Sequence, residues 1–76
     1  MNKFTKDEEV YFYNKETNEI LQGKIFDVRP NNEYQMICYI NIRFMMRTMP
    51  YTPVISESDI SYNKNDLEHL IKSSNV

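Results

Sequence analysis

Tyr34-Gln35-Met36-Ile37-Cys38-Tyr39-Ile40-Asn41-Ile42-Arg43-Phe44 carries the strongest structural signal in the chain. Tyr34, Met36, Cys38, Ile40, Ile42 and Phe44 alternate with Gln35, Ile37, Tyr39, Asn41 and Arg43. Successive side chains of a strand point to opposite faces, so this alternation predicts a long strand with an apolar core face and a mixed outer face. Immediately upstream, Arg29–Glu33 (RPNNE) reads as a turn, because Pro30 presets φ ahead of two asparagines. Before it, Ile20–Val28 (ILQGKIFDV) reads as a second strand, with Gly23 suggesting a bulge or sharp bend. Asn14–Glu19 (NKETNE) is a polar hairpin loop, and Glu9–Tyr13 (EVYFY) is the first strand, with Val10 and Phe12 on one face and Tyr11 and Tyr13 on the other.

Downstream, Pro50 and Pro53 restrict Met45–Pro53 (MMRTMPYTP) to short or edge pieces, and Val54–Ser56 gives a last short strand. In the tail, Asn65 is placed to cap a helix that begins at Asp66, with Glu68 completing a box-like arrangement. Leu67, Leu70 and Ile71 form its apolar stripe, and so short a helix must dock to persist. The expected fold is mainly β: a small five-stranded antiparallel barrel over about 4–60 and a C-terminal helix over about 65–73, within a single domain 1–76.

The chain has 76 residues, a formal charge of −2, one glycine and one cysteine. Ordering so short a chain costs roughly 110 kcal/mol at roughly 1.5 kcal/mol per residue, so a partner subunit or target is expected to help complete the fold. One cysteine allows no internal disulfide, and no Cys/His cluster is spaced to hold zinc. No apolar run approaches the ~20 residues of a membrane span, and the polar, acidic start of the chain does not read as a signal peptide. A cytoplasmic location without membrane attachment is the expectation.

Charge is segmented. Residues 1–33 carry five bases and seven acids, residues 34–56 carry Arg43 and Arg47 with no acid, and residues 57–76 carry four acids and two lysines. Binding to nucleic acid by counterion release needs a clustered basic face, which this pattern does not supply.

The catalytic vocabulary is sparse. His69 stands alone on the polar side of the tail helix, and Cys38 lies on the apolar face of the long strand, where a buried thiol is inert. Phosphate loops need more than one glycine, and Asp7-Glu8-Glu9 reads as solvated charge ahead of a strand. These features point away from an enzyme and imply neither cofactor nor metal.

What remains is surface. Arg43, Met45, Met46, Arg47, Met49 and Tyr51 gather the residue types enriched at protein interfaces, and adjacent methionines on an extended chain cannot both face the core. This patch is expected to contact a partner or a second copy, most simply as a homodimer. Asp7, Glu8, Glu9, Glu57, Asp59, Asp66 and Glu68 could form one acidic contact face if the tail packs near the first strand. Tyr11, Tyr13 and Tyr39, with Arg43, offer an alternative face on which bases could stack.

Glu9-Val10-Tyr11-Phe12-Tyr13, Gly23-Lys24-Ile25, Tyr34 opening a long strand, and Val54-Ile55-Ser56-Glu57-Ser58-Asp59-Ile60 together resemble the strand order of SH3-like small barrels. The resemblance covers roughly 4–60 and implies the barrel fold without fixing a function. The glycine-rich element of RNA-binding variants and the tryptophan of peptide-binding variants are missing. Abundant Asn, Lys, Ile, Tyr and Met, with no Trp, resembles small early phage proteins from AT-rich genomes. In size and acidity the chain is similar to small phage inhibitors of the bacterial sliding clamp. That likeness implies a protein partner among host replication or transcription components, with a virion structural role as the alternative.

Overall fold

The computed structural model describes residues 3–72. Six strands form: β1 (Glu9–Asn14), β2 (Glu19–Arg29), β3 (Glu33–Ile42), β4 (Arg47–Tyr51), β5 (Val54–Ser56) and β6 (Ile60–Ser61). Short 3-10 segments occupy Arg43–Met45, Glu57–Asp59 and Lys64–Leu70. Every pairing is antiparallel, in the order β4-β3-β2-β1-β6, and β5 also pairs with β3. The long strand therefore serves two successive neighbours on one edge: Glu33–Gln35 pair with β5 and Cys38–Ile42 with β4. The Thr52-Pro53 step separates these two partners, and the Pro53 carbonyl still accepts the Met36 N–H at 2.8 Å.

Phe4, Val10, Phe12, Ile25, Tyr34, Met36, Cys38, Ile55 and Ile60 form the core, and Leu21, Val28, Ile40 and Tyr51 pack against it. The alternation that predicted the first and third strands thus holds for their inner faces. Three expectations need correction. β3 stops at Ile42, and Phe44 sits at a loop tip, fully exposed, instead of on the core face. Strand six was not foreseen, because two residues carry no periodicity. The bulge lies at Phe26, between the Ile25–Met36 and Asp27–Gln35 pairs, and not at Gly23. The mainly β character holds: among the described residues the six strands form one open antiparallel sheet, and the Glu57–Asp59 turn leads from β5 to β6.

The tail also differs. It forms a 3-10 segment that starts at Lys64 after Asn63, with no capping side-chain bond, instead of a helix capped by Asn65. Leu67 and Leu70 are three apart, which aligns them on a 3-10 helix and leaves Ile71 largely outside. The expected last residue, Ser73, lies outside the described residues. Leu67 is buried, and the segment packs on β1, β2 and β6. None of the described helices is long and apolar enough to cross a membrane.

Two polar devices fasten the chain ends. At the C-terminal side, Asn18 stands in the left-handed region (φ 56°) at the end of the β1–β2 loop. Its amide donates to the Lys72 carbonyl at 2.7 Å, while its Oδ1 accepts the Lys72 N–H at 2.8 Å and the Tyr13 hydroxyl at 2.8 Å. Asn18→Ala is expected to remove these bonds and add left-handed strain, destabilising the domain by about 2 kcal/mol. Amide exchange should then show faster opening at Leu67–Lys72 than in the strands.

At the N-terminal side, the buried Tyr34 hydroxyl accepts the Lys3 and Phe4 N–H groups at 3.1 and 3.3 Å. It donates to Glu57 Oε2 at 2.6 Å. Glu8 accepts the Thr5 N–H at 2.7 Å and receives the Tyr62 hydroxyl at 3.0 Å. Tyr34's hydrogen bond holds the Glu57 carboxyl below its ordinary value, and the Thr5 and Tyr62 bonds do the same for Glu8. Carboxyls lowered by folding stabilise the fold above their unfolded pKa and lose that contribution as pH falls through the folded values. The urea midpoint is therefore expected to fall between about pH 5 and about pH 3. Glu57→Gln should flatten that dependence; an unchanged slope in the variant would show that this carboxylate does not couple to folding.

Candidate functional site

The β2–β3 ladder ends at the Lys24–Ile37 pair, and the β3–β4 ladder starts at Cys38–Tyr51 and closes at Ile42–Arg47. Beyond Ile37, β3 pairs with β4 alone. The two strands form an arm whose root is anchored by buried Cys38 and by Ile40 and Tyr51 against the core. Such a two-stranded ribbon is marginal in water unless something packs on it.

The arm carries Tyr39, Phe44, Met45, Met46 and Met49, five of the nine exposed large hydrophobic residues among those described. Phe44 is fully exposed and Met46 is 92% exposed. Arg47 is also exposed, next to the tip. The loop geometry makes this arrangement stand out. Both the β1–β2 and β3–β4 hairpins close over four residues, Lys15–Asn18 and Arg43–Met46, and in both the last residue has positive φ. In the first loop that residue is asparagine, which tolerates the left-handed region. In the second it is Met46 at φ 51°, which does not. Local strain of this kind persists where the surroundings or a function require it.

At the root of the arm lies an open groove of about 670 Å³. Pro50, Tyr51 and Pro53 line it together with Tyr13, the Lys15-Glu16 turn, Glu33 and Asp59. The Asp59 side chain is only 10% exposed, and its one ion pair among the described residues is with Lys15 Nζ at 3.8 Å. Asn14 braces the groove by donating to the Tyr51 hydroxyl at 2.9 Å and accepting the Glu16 N–H at 3.0 Å.

The other expected residues are distributed as follows. Met45, Met46, Arg47 and Met49 sit on the arm, and Arg43 opens its tip loop, while Tyr51 is half-buried at its root. Of the acidic set, Glu8 and Glu57 hold the N-terminal segment, Asp59 faces Lys15, and Asp66 accepts the Ser61 hydroxyl at 2.7 Å. Asp7, Glu9 and Glu68 are exposed. Of the tyrosines, Tyr13 is buried with its hydroxyl committed to Asn18, Tyr11 is half-buried, and Tyr39 is exposed on the arm. Those three do not make one open platform for bases.

His69 is exposed, and burial pushes the Cys38 thiol up, the inert direction for a thiol. Among the described residues no group of three His, Cys, Asp or Glu side chains could hold a metal ion. Sequence reasoning missed Phe44 as a contact residue, because the alternation of β3 runs on past the point where the strand stops. It also missed Glu16, Glu33, Pro50 and Pro53, which only the fold brings together. Comparison of the chain with protein-family models, curated proteins and solved structures finds no match.

Proposed function

We propose that this chain is a non-enzymatic protein-binding domain that works through its β3–β4 arm. The observation that carries this reading is the pairing of an exposed Phe-Met tip with a left-handed methionine at its turn. Clusters of Met, Arg and aromatic residues are the composition of interface cores, and exposed apolar patches mark binding surfaces. The strand order, with a 3-10 turn leading from β5 to β6 beside β1, supports an SH3-like small barrel as the scaffold.

In its narrower form the reading is a phage-type inhibitor in the bacterial cytoplasm. It would bind a host replication or transcription protein, such as the sliding clamp, through acidic side chains placed where DNA would lie. Small size, acidic ends and an AT-rich residue usage support it. The exposed Asp7, Glu9 and Glu68 are the members of the acidic set whose side chains make no hydrogen bond or ion pair among the described residues.

Tagged protein incubated with nuclease-treated lysate of a low-GC Gram-positive host should retain a DNA-transaction protein and release it when duplex DNA is added. Retention only in the presence of nucleic acid would overturn the inhibitor reading. The arm itself is tested by Met46→Gly. Glycine relieves the turn, so stability should rise by about 1 kcal/mol, a Tm gain of roughly 4–8 °C for a domain of this size. Protein association should weaken at the same time. A variant that is more stable and associates as well as wild type would show that the methionine has no binding role.

A further inference from the structure

Resting on the reading of the arm as a protein contact, we infer that its partner is a second copy of this chain, with each tip seated in the groove at the root of the other arm. The two surfaces are complementary within one molecule. The tip is apolar and lies in a segment, 34–56, that carries two arginines and no acid. The groove has Tyr and Pro walls, and its charged groups are Glu16, Glu33 and Asp59 against Lys15 alone. Asp59 is nearly buried there and meets Lys15 Nζ at 3.8 Å, so an incoming guanidinium would place a second cation beside a carboxylate in an acidic groove.

Geometry favours reciprocity. Tip and groove belong to the same ribbon, separated by β4 from Arg47 to Tyr51. At ~3.3 Å per residue that is roughly 15 Å. Two arms laid antiparallel, related by a two-fold axis perpendicular to them, place each tip at the other's root simultaneously, which closes the assembly as a dimer. Tip-to-tip contact would instead bring the exposed Arg47 of one copy against that of the other, with no acid from the 34–56 segment between them.

The test is sedimentation equilibrium on the full chain, with circular dichroism to confirm folding. Wild type should give the dimer mass. Phe44→Asp should be a folded monomer. Arg47→Glu and Glu16→Arg should each weaken dimerisation roughly tenfold or more by like-charge contact, and the double variant should recover most of the loss. Both single variants lie on exposed loops or edges and leave the core untouched. A series of species larger than the dimer would overturn reciprocity, since it signals open head-to-tail growth. Failure of the double variant to recover would overturn the pairing of tip with groove. A monomeric wild type whose Phe44→Asp variant loses its captured protein would overturn the second-copy proposal while leaving the arm reading standing. If that variant changes nothing in either assay, both fail.

Discussion

Phe4→Ala is expected to destabilise the domain by about 3–5 kcal/mol, read as a lower urea midpoint at unchanged slope. Phe4 is fully buried, and its ring meets Tyr34 and Tyr62 edge-on at 5.5 and 5.1 Å between centroids. A cavity left there has little chance to collapse, because Tyr34 belongs to β3, which its neighbours hold in register, and Tyr62 follows directly on β6. A chain of this length has a total stability of only about 4–11 kcal/mol, so the variant should lose a large share of it. Tyr34→Phe separates packing from polar fastening. It keeps the ring but removes the hydroxyl that accepts two backbone N–H groups and binds Glu57, at a cost of about 1–3 kcal/mol. If Tyr34→Phe proved the costlier change, the N-terminal segment would be held by its hydrogen bonds and not by the ring it plugs into the core.

How much of this could be seen in the sequence depends on the range of the interaction that fixes each part. Val10 and Phe12, or Tyr34, Met36 and Cys38, reveal themselves because strand alternation is a local property, and the turn at Pro30-Asn31-Asn32 does so because asparagine accepts the positive φ found at both positions. Phe4 gave no such signal; its burial follows from Tyr34 and Tyr62, dozens of residues away. The Met-Arg patch is legible as composition, yet the alternation alone places Phe44 on the core face, since nothing in it shows that β3 ends at Ile42. Four of the seven acids proposed as a contact face also serve as fasteners or ion-pair partners inside the fold. Charge alone does not distinguish a carboxylate that waits for a partner from one that already has one.

Gly23→Val is expected to destabilise the protein by about 3 kcal/mol or more and to displace the arm as well. Gly23 faces Val10 across the β1–β2 ladder, so its missing side chain points to the core. A Cβ there would stand 2.5 Å from the Ile37 carbonyl oxygen and 3.1 Å from Cys38 Cβ. The first of these is backbone of the neighbouring strand, which cannot yield as a flexible side chain would. Ile37 and Cys38 are also the two residues at which β3 leaves β2 and becomes the arm. Pushing them away opens the root of the ribbon where Cys38 is buried, so the strain must appear either as lost core packing or as a changed arm angle. Gly23→Ala, with one carbon instead of three, should show the same direction with a smaller loss. Protection of the Cys38 thiol from an alkylating reagent measures the effect directly: it should be slow in wild type, faster in Gly23→Ala and fastest in Gly23→Val. Equal protection in all three proteins, together with unchanged stability, would mean that β3 relaxes freely at Ile37, and the arm would then be a flexible extension with no fixed angle to the sheet.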